Sequence, residues 1–193
     1  MCNTYSDTAA ACTYIGYGCF LIADFINYGF NKNFRITSRY KHTLPDKKNT
    51  DVELFDISDI ALETAEKNIK RNNVSDRVKS YKMDILNEYP KKKYDVVVSN
   101  PQYIEKAVIE TLQTEVKDYE PRIALDGGED GLVFYRRITE TAHNFLKKGG
   151  LLAFEIGYNQ GESVRALMQN DFYDTEVIKD LNDNDRVVIG KLK

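Results

Sequence analysis

The tetrapeptide Asn100-Pro101-Gln102-Tyr103 brings together what is needed to hold a planar nitrogen group still. It offers a side-chain amide oxygen that accepts a hydrogen bond, a carbonyl on a residue whose φ is locked by its ring, and an aromatic face. The preceding run, Lys93-Tyr94-Asp95-Val96-Val97-Val98-Ser99, is apolar on both faces, as a strand at the centre of a parallel sheet must be. An amide-holding corner at the open end of such a sheet suits methyl transfer to an amino or amide nitrogen. Four residues are a short motif, and a strand merely stopped by proline would read the same way. The rest of the chain decides between the two.

Alternating strand and helix patterns from Asp51 onward predict a parallel α/β sheet. Strands are expected at residues 51–56, 78–83, 94–99 and 151–156. A helix capped by Ser58 or Asp59 carries Leu62, Ala65 and Ile69 on one face and ends at Asn72 and Asn73. Further helices are expected over 104–117, over 132–146 with Phe134, Ile138, Ala142 and Phe145 on one stripe, and over 161–170. Gly149 and Gly150 are expected to close the second of these. Residues 118–131 are too rich in glycine and acid to form a core element. Strands at 173–179 and 186–191, joined by Asn182-Asp183-Asn184, predict an antiparallel hairpin at the sheet edge.

Ligands of open parallel sheets bind beyond the carboxyl ends of the strands. Asp56 ends one strand, where a carboxylate can accept both hydroxyls of a ribose; its alternative role is a helix cap. Asp84 and Ile85 follow the next strand, positioned to bind an adenine amino group and cover the ring, or else to form an ordinary turn. Asn100 to Tyr103 and Glu155-Ile156-Gly157 end two more strands. A nucleoside cofactor crossing these ends beside an amide-holding corner implies S-adenosylmethionine.

Composition narrows the classes. The 193 residues are 42% apolar and 30% charged, which describes one globular domain with a proper core. A net charge of −3 leaves no electrostatic footprint for direct nucleic-acid binding. The longest apolar run, residues 14–25, is broken by Asp24 and too short to span a membrane. Cys2, Cys12 and Cys19 lack paired spacing, and His42 and His143 lack ligand-spaced partners, so no metal site is expected.

Several segments in order resemble the HemK/PrmC methyltransferases, which methylate the glutamine amide in the Gly-Gly-Gln motif of class I peptide chain release factors. They are Ser99-Asn100-Pro101-Gln102-Tyr103-Ile104, the stretch from Tyr119-Glu120-Pro121-Arg122 through Asp126-Gly127-Gly128-Glu129-Asp130-Gly131-Leu132, and Tyr135-Arg136-Arg137-Ile138. Gly149-Gly150-Leu151-Leu152, Glu155-Ile156-Gly157-Tyr158, Gln160-Gly161-Glu162 and Asp180-Leu181 with Asp185-Arg186-Val187-Val188 complete the series. The resemblance covers about Thr43 to the C-terminus. It implies a Rossmann-like S-adenosylmethionine-dependent methyltransferase fold, a cytoplasmic enzyme of translation termination, and a class I release factor as partner of a monomeric chain. It assigns catalysis to Asn100, Pro101 and Tyr103, and substrate binding to these and Gln102. Cofactor binding falls to Gly16, Gly18, Asp56, Asp84, Ile85 and Asn100.

Three departures set further expectations. The family pattern is Asn-Pro-Pro-Tyr; Gln102 stands where a second proline would restrict the residue before it, so weakened catalysis is expected. The family's Asp-x-Gly-x-Gly-x-Gly loop finds its nearest match with Tyr14 at the acidic position and Phe20 at the third glycine, leaving Gly16 and Gly18. The resemblance also leads to the expectation that the family's N-terminal helical domain is missing. Residues 1–50 are therefore expected to be a degenerate cofactor-loop region with an irregular insertion, on the hypothesis of a truncated or partly out-of-frame start, and residues 51–193 the catalytic domain. Two alternatives stay open: an inactive remnant or release-factor-binding module, and a nucleic-acid adenine methyltransferase.

Overall fold

A run that is apolar on both faces is buried as a strand only when helices cover both faces of the sheet, and this chain supplies them. The computed structural model describes residues 10–15, 51–111 and 125–193. Strand β1 (Ala10–Ile15) lies between β2 (Asp51–Asp56) and β4 (Tyr94–Asn100), with β3 (Val78–Lys82) outside β2 and β5 (Leu146–Glu155) beyond β4. Two strands follow, β6 (Phe172–Lys179) and β7 (Asp185–Leu192), and the sheet order is β3-β2-β1-β4-β5-β7-β6. The first five strands run parallel, while β7 is antiparallel to both β5 and β6. The expected antiparallel pair forms, with only β6 at the edge and β7 inserted beside β5.

Helix α1 (Asp59–Arg71) starts where Ser58 Oγ accepts from Ala61 N–H at 3.3 Å. Asp59 in its first turn and Lys70 and Arg71 in its last complement the helix dipole. It ends as expected, with Asn73 in the left-handed region at φ 53°. Its buried Ile69 packs with Val52, Val78 and Val96 on one face of the sheet. Neighbouring strand residues Phe55 and Val97 point the other way, into the larger cluster built with Tyr135, Ile138, Ala142 and Phe145 of α3 (Val133–Phe145) and Val164 and Met168 of α4 (Gly161–Met168). Tyr135 meets Phe154 edge to face at 5.1 Å between centroids.

Two expected boundaries shift. A helix over 104–117 is replaced, within the described residues, by the short α2 (Lys106–Ile109); residues 112–124 of that expectation and of the acidic segment lie outside them. The cause is local: Ile104 donates to Leu125 O and accepts from Gly127 N–H, forming a parallel bridge with Asp126, so its backbone is extended. Gly149 and Gly150 lie inside β5, which begins at Leu146 directly after α3. Gly149, at φ 74°, sits where the β4–β5 register shifts between Tyr94 and Val96.

Phe154 is fully buried, so Phe154→Ala is expected to cost about 3–5 kcal/mol. Ser58→Ala, which removes one cap bond, is expected to cost about 1 kcal/mol. Urea denaturation followed by circular dichroism checks both values and their order.

Candidate active site

The sheet register lines up the strand ends. Asp56 pairs with Lys82, Tyr14 with Phe55, Ile15 with Asn100, and Ser99 with Phe154. The last residues of β2, β1, β4 and β5 therefore share one row, with Asp84 two residues beyond the end of β3. The chain's path reverses between β1 and β4, the switch point where open α/β sheets bind ligands. At about 4.8 Å per strand, Asp56 and Asn100 stand about 10 Å apart on either side of β1. Gly16 and Gly18 lie outside the described residues.

At the end of β4 the chain leaves the ladder. Asn100 and Tyr103 are half-buried, while Pro101 and Gln102 are buried. Glycines crowd this corner. A Cβ on Gly127 would stand 2.8 Å from Tyr103 Cα and 2.9 Å from Gln102 O, and one on Gly131 would stand 2.4 Å from Tyr103 O. Residues 125–131, the described part of the segment set aside in the sequence as too rich in glycine and acid for a core element, are thus the wall behind the corner. Its acids cap its own turns: Asp126 accepts from Gly128 N–H at 2.9 Å and Asp130 from Leu132 N–H at 3.1 Å.

Asp56 is 3% exposed. Its Oδ1 accepts from Ser58 N–H at 2.7 Å, and its Oδ2 is buried without a hydrogen bond. Burial raises its pKa from 3.8 to about 6, with the Ser58 and Ile57 N–H groups holding it lower than burial alone would. A buried carboxylate oxygen with no donor, at the end of β2, fits the vicinal hydroxyls of a ribose. Asp84 is half-buried and its carboxylate is engaged in the turn it starts, accepting from Leu86 N–H at 3.0 Å and from Asn87 Nδ2 at 2.7 Å. Ile85 is 2% exposed within the large core cluster, and its carbonyl accepts from Arg137 Nε at 3.1 Å.

Beside the corner, burial pushes Glu155 above the ordinary carboxylate range, and the Arg186 charge draws it partly back. Burial, then the Glu155 charge, raises Tyr103, whose phenol stays protonated at working pH. Tyr135 donates to Glu155 O at 3.0 Å. Sequence reasoning missed Gln160, a buried side chain reaching Tyr103 O; the only signal was a polar residue inside a motif of the resemblance.

A five-stranded parallel sheet extended by an antiparallel seventh strand, with a carboxylate ending β2 and an amide–proline corner ending β4, defines an S-adenosylmethionine-dependent methyltransferase fold. The family model described as Methyltransferase small domain matches residues 41–117. A release factor glutamine methyltransferase of Clostridium botulinum is 47% identical over 143 residues, covering 72% of this chain and 50% of the relative. Its counterpart in Bacillus cereus is 42% identical over 152 residues, covering 77% of this chain and 53% of the relative. The chain is thus similar to release factor glutamine methyltransferases, the HemK/PrmC resemblance expected from its sequence, and it spans about half the length of the curated relatives it matches. Among solved structures, TrmN from Thermus thermophilus superposes with a TM-score of 0.58 at 12% identity, covering 96% of this chain and 44% of that one. The tRNA (m1A58) methyltransferase TrmI from Aquifex aeolicus does so at 0.55 and 15%, covering 95% and 62%. At such identities the likeness is one of fold.

The raised Asp56 carboxyl leaves a mark on stability. Between pH 3.8 and about 6 the folded chain keeps a proton that the unfolded chain has released, so rising pH favours unfolding across that window. The loss amounts to about 2–3 kcal/mol when complete. Asp56→Asn is expected to flatten this slope, as read from urea midpoints at pH 4.5 and 7.

Proposed function

We propose that this chain methylates the glutamine side-chain amide in the Gly-Gly-Gln motif of a class I peptide chain release factor, with S-adenosylmethionine as methyl donor. The amide–proline corner at the switch-point row, in a chain 47% identical to a release factor glutamine methyltransferase, carries the proposal. Such a reaction belongs to translation termination and to the cytoplasm.

An amide nitrogen is a poor nucleophile because its lone pair is delocalised into the carbonyl. Asn100 Oδ1 and the Pro101 carbonyl each accept one N–H of the substrate amide, which presents the nitrogen and favours its pyramidalisation. Tyr103 packs on the flat amide and sets its plane. Asp56 would accept from the ribose hydroxyls of the donor; Gly16, Gly18 and Asp84 would complete that half of the site, with Ile85 backing it from the core. When bound, S-adenosylmethionine supplies an electrophilic methyl on a sulfonium. No general base acts beforehand, since the methylated amide is acidic enough to lose its proton to water. Orientation of this kind supplies up to about 7–11 kcal/mol of barrier lowering.

Gln102 leaves the Pro101 backbone less restricted than a proline at that position would. The corner therefore keeps its chemistry at a lower rate.

The purified chain, given tritiated S-adenosylmethionine with a release factor in one arm and DNA in another, is expected to label the release factor. Label in DNA alone overturns the proposal. Asn100→Ala is expected to lower kcat about 100-fold or more with an unchanged circular dichroism spectrum, and Gln102→Pro to raise kcat.

Because the ionised Asp56 is the better acceptor of two hydroxyls, affinity for S-adenosylmethionine is expected to fall as pH drops through about 6. Calorimetric titration between pH 5 and 8 measures it, and a flat profile removes Asp56 from the cofactor site.

A further inference from the structure

The proposed chemistry uses no atom of Gln160. This residue precedes α4, where its backbone N–H closes a turn onto Gly157 O at 3.0 Å and its carbonyl accepts from Val164 N–H at 2.9 Å. Polar side chains at such positions commonly turn back to cap the helix, and Gln160 makes no such bond. Its amide reaches the other way. Oε1 accepts from Gly157 N–H at 3.1 Å, and Nε2 donates to Tyr103 O at 3.0 Å and to Gly131 O at 3.3 Å.

These bonds use both amide donors and one acceptor of a residue that is 8% exposed. They also fix its orientation, because two carbonyls stand on one side and an N–H on the other. A glutamate would turn an acceptor toward both carbonyls, and a methionine would fill the volume while leaving three backbone groups unbonded. The surrounding glycines keep the space free. A Cβ on Gly131 would lie 2.7 Å from Nε2, and one on Gly157 would lie 3.0 Å from Oε1.

We propose that Gln160 is a positioning residue that sets the geometry of the Asn100–Tyr103 corner. By holding the Tyr103 carbonyl against Gly131 and Gly157, it joins the exits of β4 and β5 to the glycine-rich wall. It thereby constrains the path from Pro101 to Tyr103, which a proline at position 102 would constrain covalently. Because the chain carries Gln102 there, the constraint comes from across the fold. The catalytic consequence rests on the function proposed above; the clamp itself does not.

The test uses the full chain and four variants: Gln160→Met, Gln160→Asn, Gln102→Pro and the Gln102→Pro/Gln160→Met double. Hydrogen exchange read by mass spectrometry is expected to speed about 10-fold or more in peptides covering 100–106 and 126–132 of Gln160→Met, with 133–145 unchanged. On a release factor, kcat is expected to fall about 10- to 100-fold with the cofactor KM little changed. Gln102→Pro is expected to recover part of that loss, giving a larger effect in the Gln160→Met background than in the wild type. Unchanged exchange at the corner, acceleration spread evenly through 133–145, or equal Gln102→Pro effects in both backgrounds overturn the proposal. Should Gln160→Met fail to fold, the shorter Gln160→Asn carries the same measurements with the same expected directions. If the wild type methylates no release factor, the functional proposal fails while exchange still decides the clamp.

Discussion

The site depends on how closely one stretch of backbone passes another at residues 102–104 and 126–131. A strand that ends in proline must route its following peptides without a ladder to hold them. Here they are held by contact: Gly127 N–H donates to Ile104 O at 2.9 Å, and Gly127 and Gly131 come so near the Gln102–Tyr103 peptides that neither could carry a Cβ. Close approach of this kind turns a strand end into a rigid corner, and it explains why an acidic, glycine-rich loop lies within the fold.

Around that corner the protein keeps polar groups in places that do not favour stability. Asp56 holds an unbonded carboxylate oxygen under 3% exposure, and Glu155 is raised by burial beside Tyr103. A buried carboxylate lacking a donor is destabilising on its own terms. It becomes reasonable where a ligand brings the missing donors, which is the usual compromise at binding sites.

The relationships fit this division of labour. Identity of 42–47% to release factor glutamine methyltransferases extends over 143 to 152 residues, in a chain that spans about half of each of these relatives. Likeness to TrmN and TrmI, at 12% and 15% identity, extends only to the scaffold. A sheet with its ligand row at a switch point serves many methyl acceptors. In the proposed function, the groups that hold the acceptor are those on the connection leaving β4.

Much of this was legible in the sequence because short-range patterns carry it. A two-sided apolar run marked β4, the run at 151–156 marked the later part of β5, Ser58 and Asn73 marked the ends of α1, and the Asn100–Tyr103 motif marked the corner. Asp56 was legible as the last residue of its strand. The rest depends on distances between residues far apart in the chain. No local pattern told that Ile104 would pair with Asp126 instead of starting a helix, that β7 would insert beside β5, or that Ile85 would be enclosed in the core. Nor did any show that Gln160 would leave its helix uncapped to hold Tyr103, 57 positions earlier. The sequence by itself determined the elements and the chemical types at their ends, since periodicity and capping act within a few residues. Only the tertiary structure decided which ends share a row and which backbones touch, because register and close packing are properties of the assembled sheet.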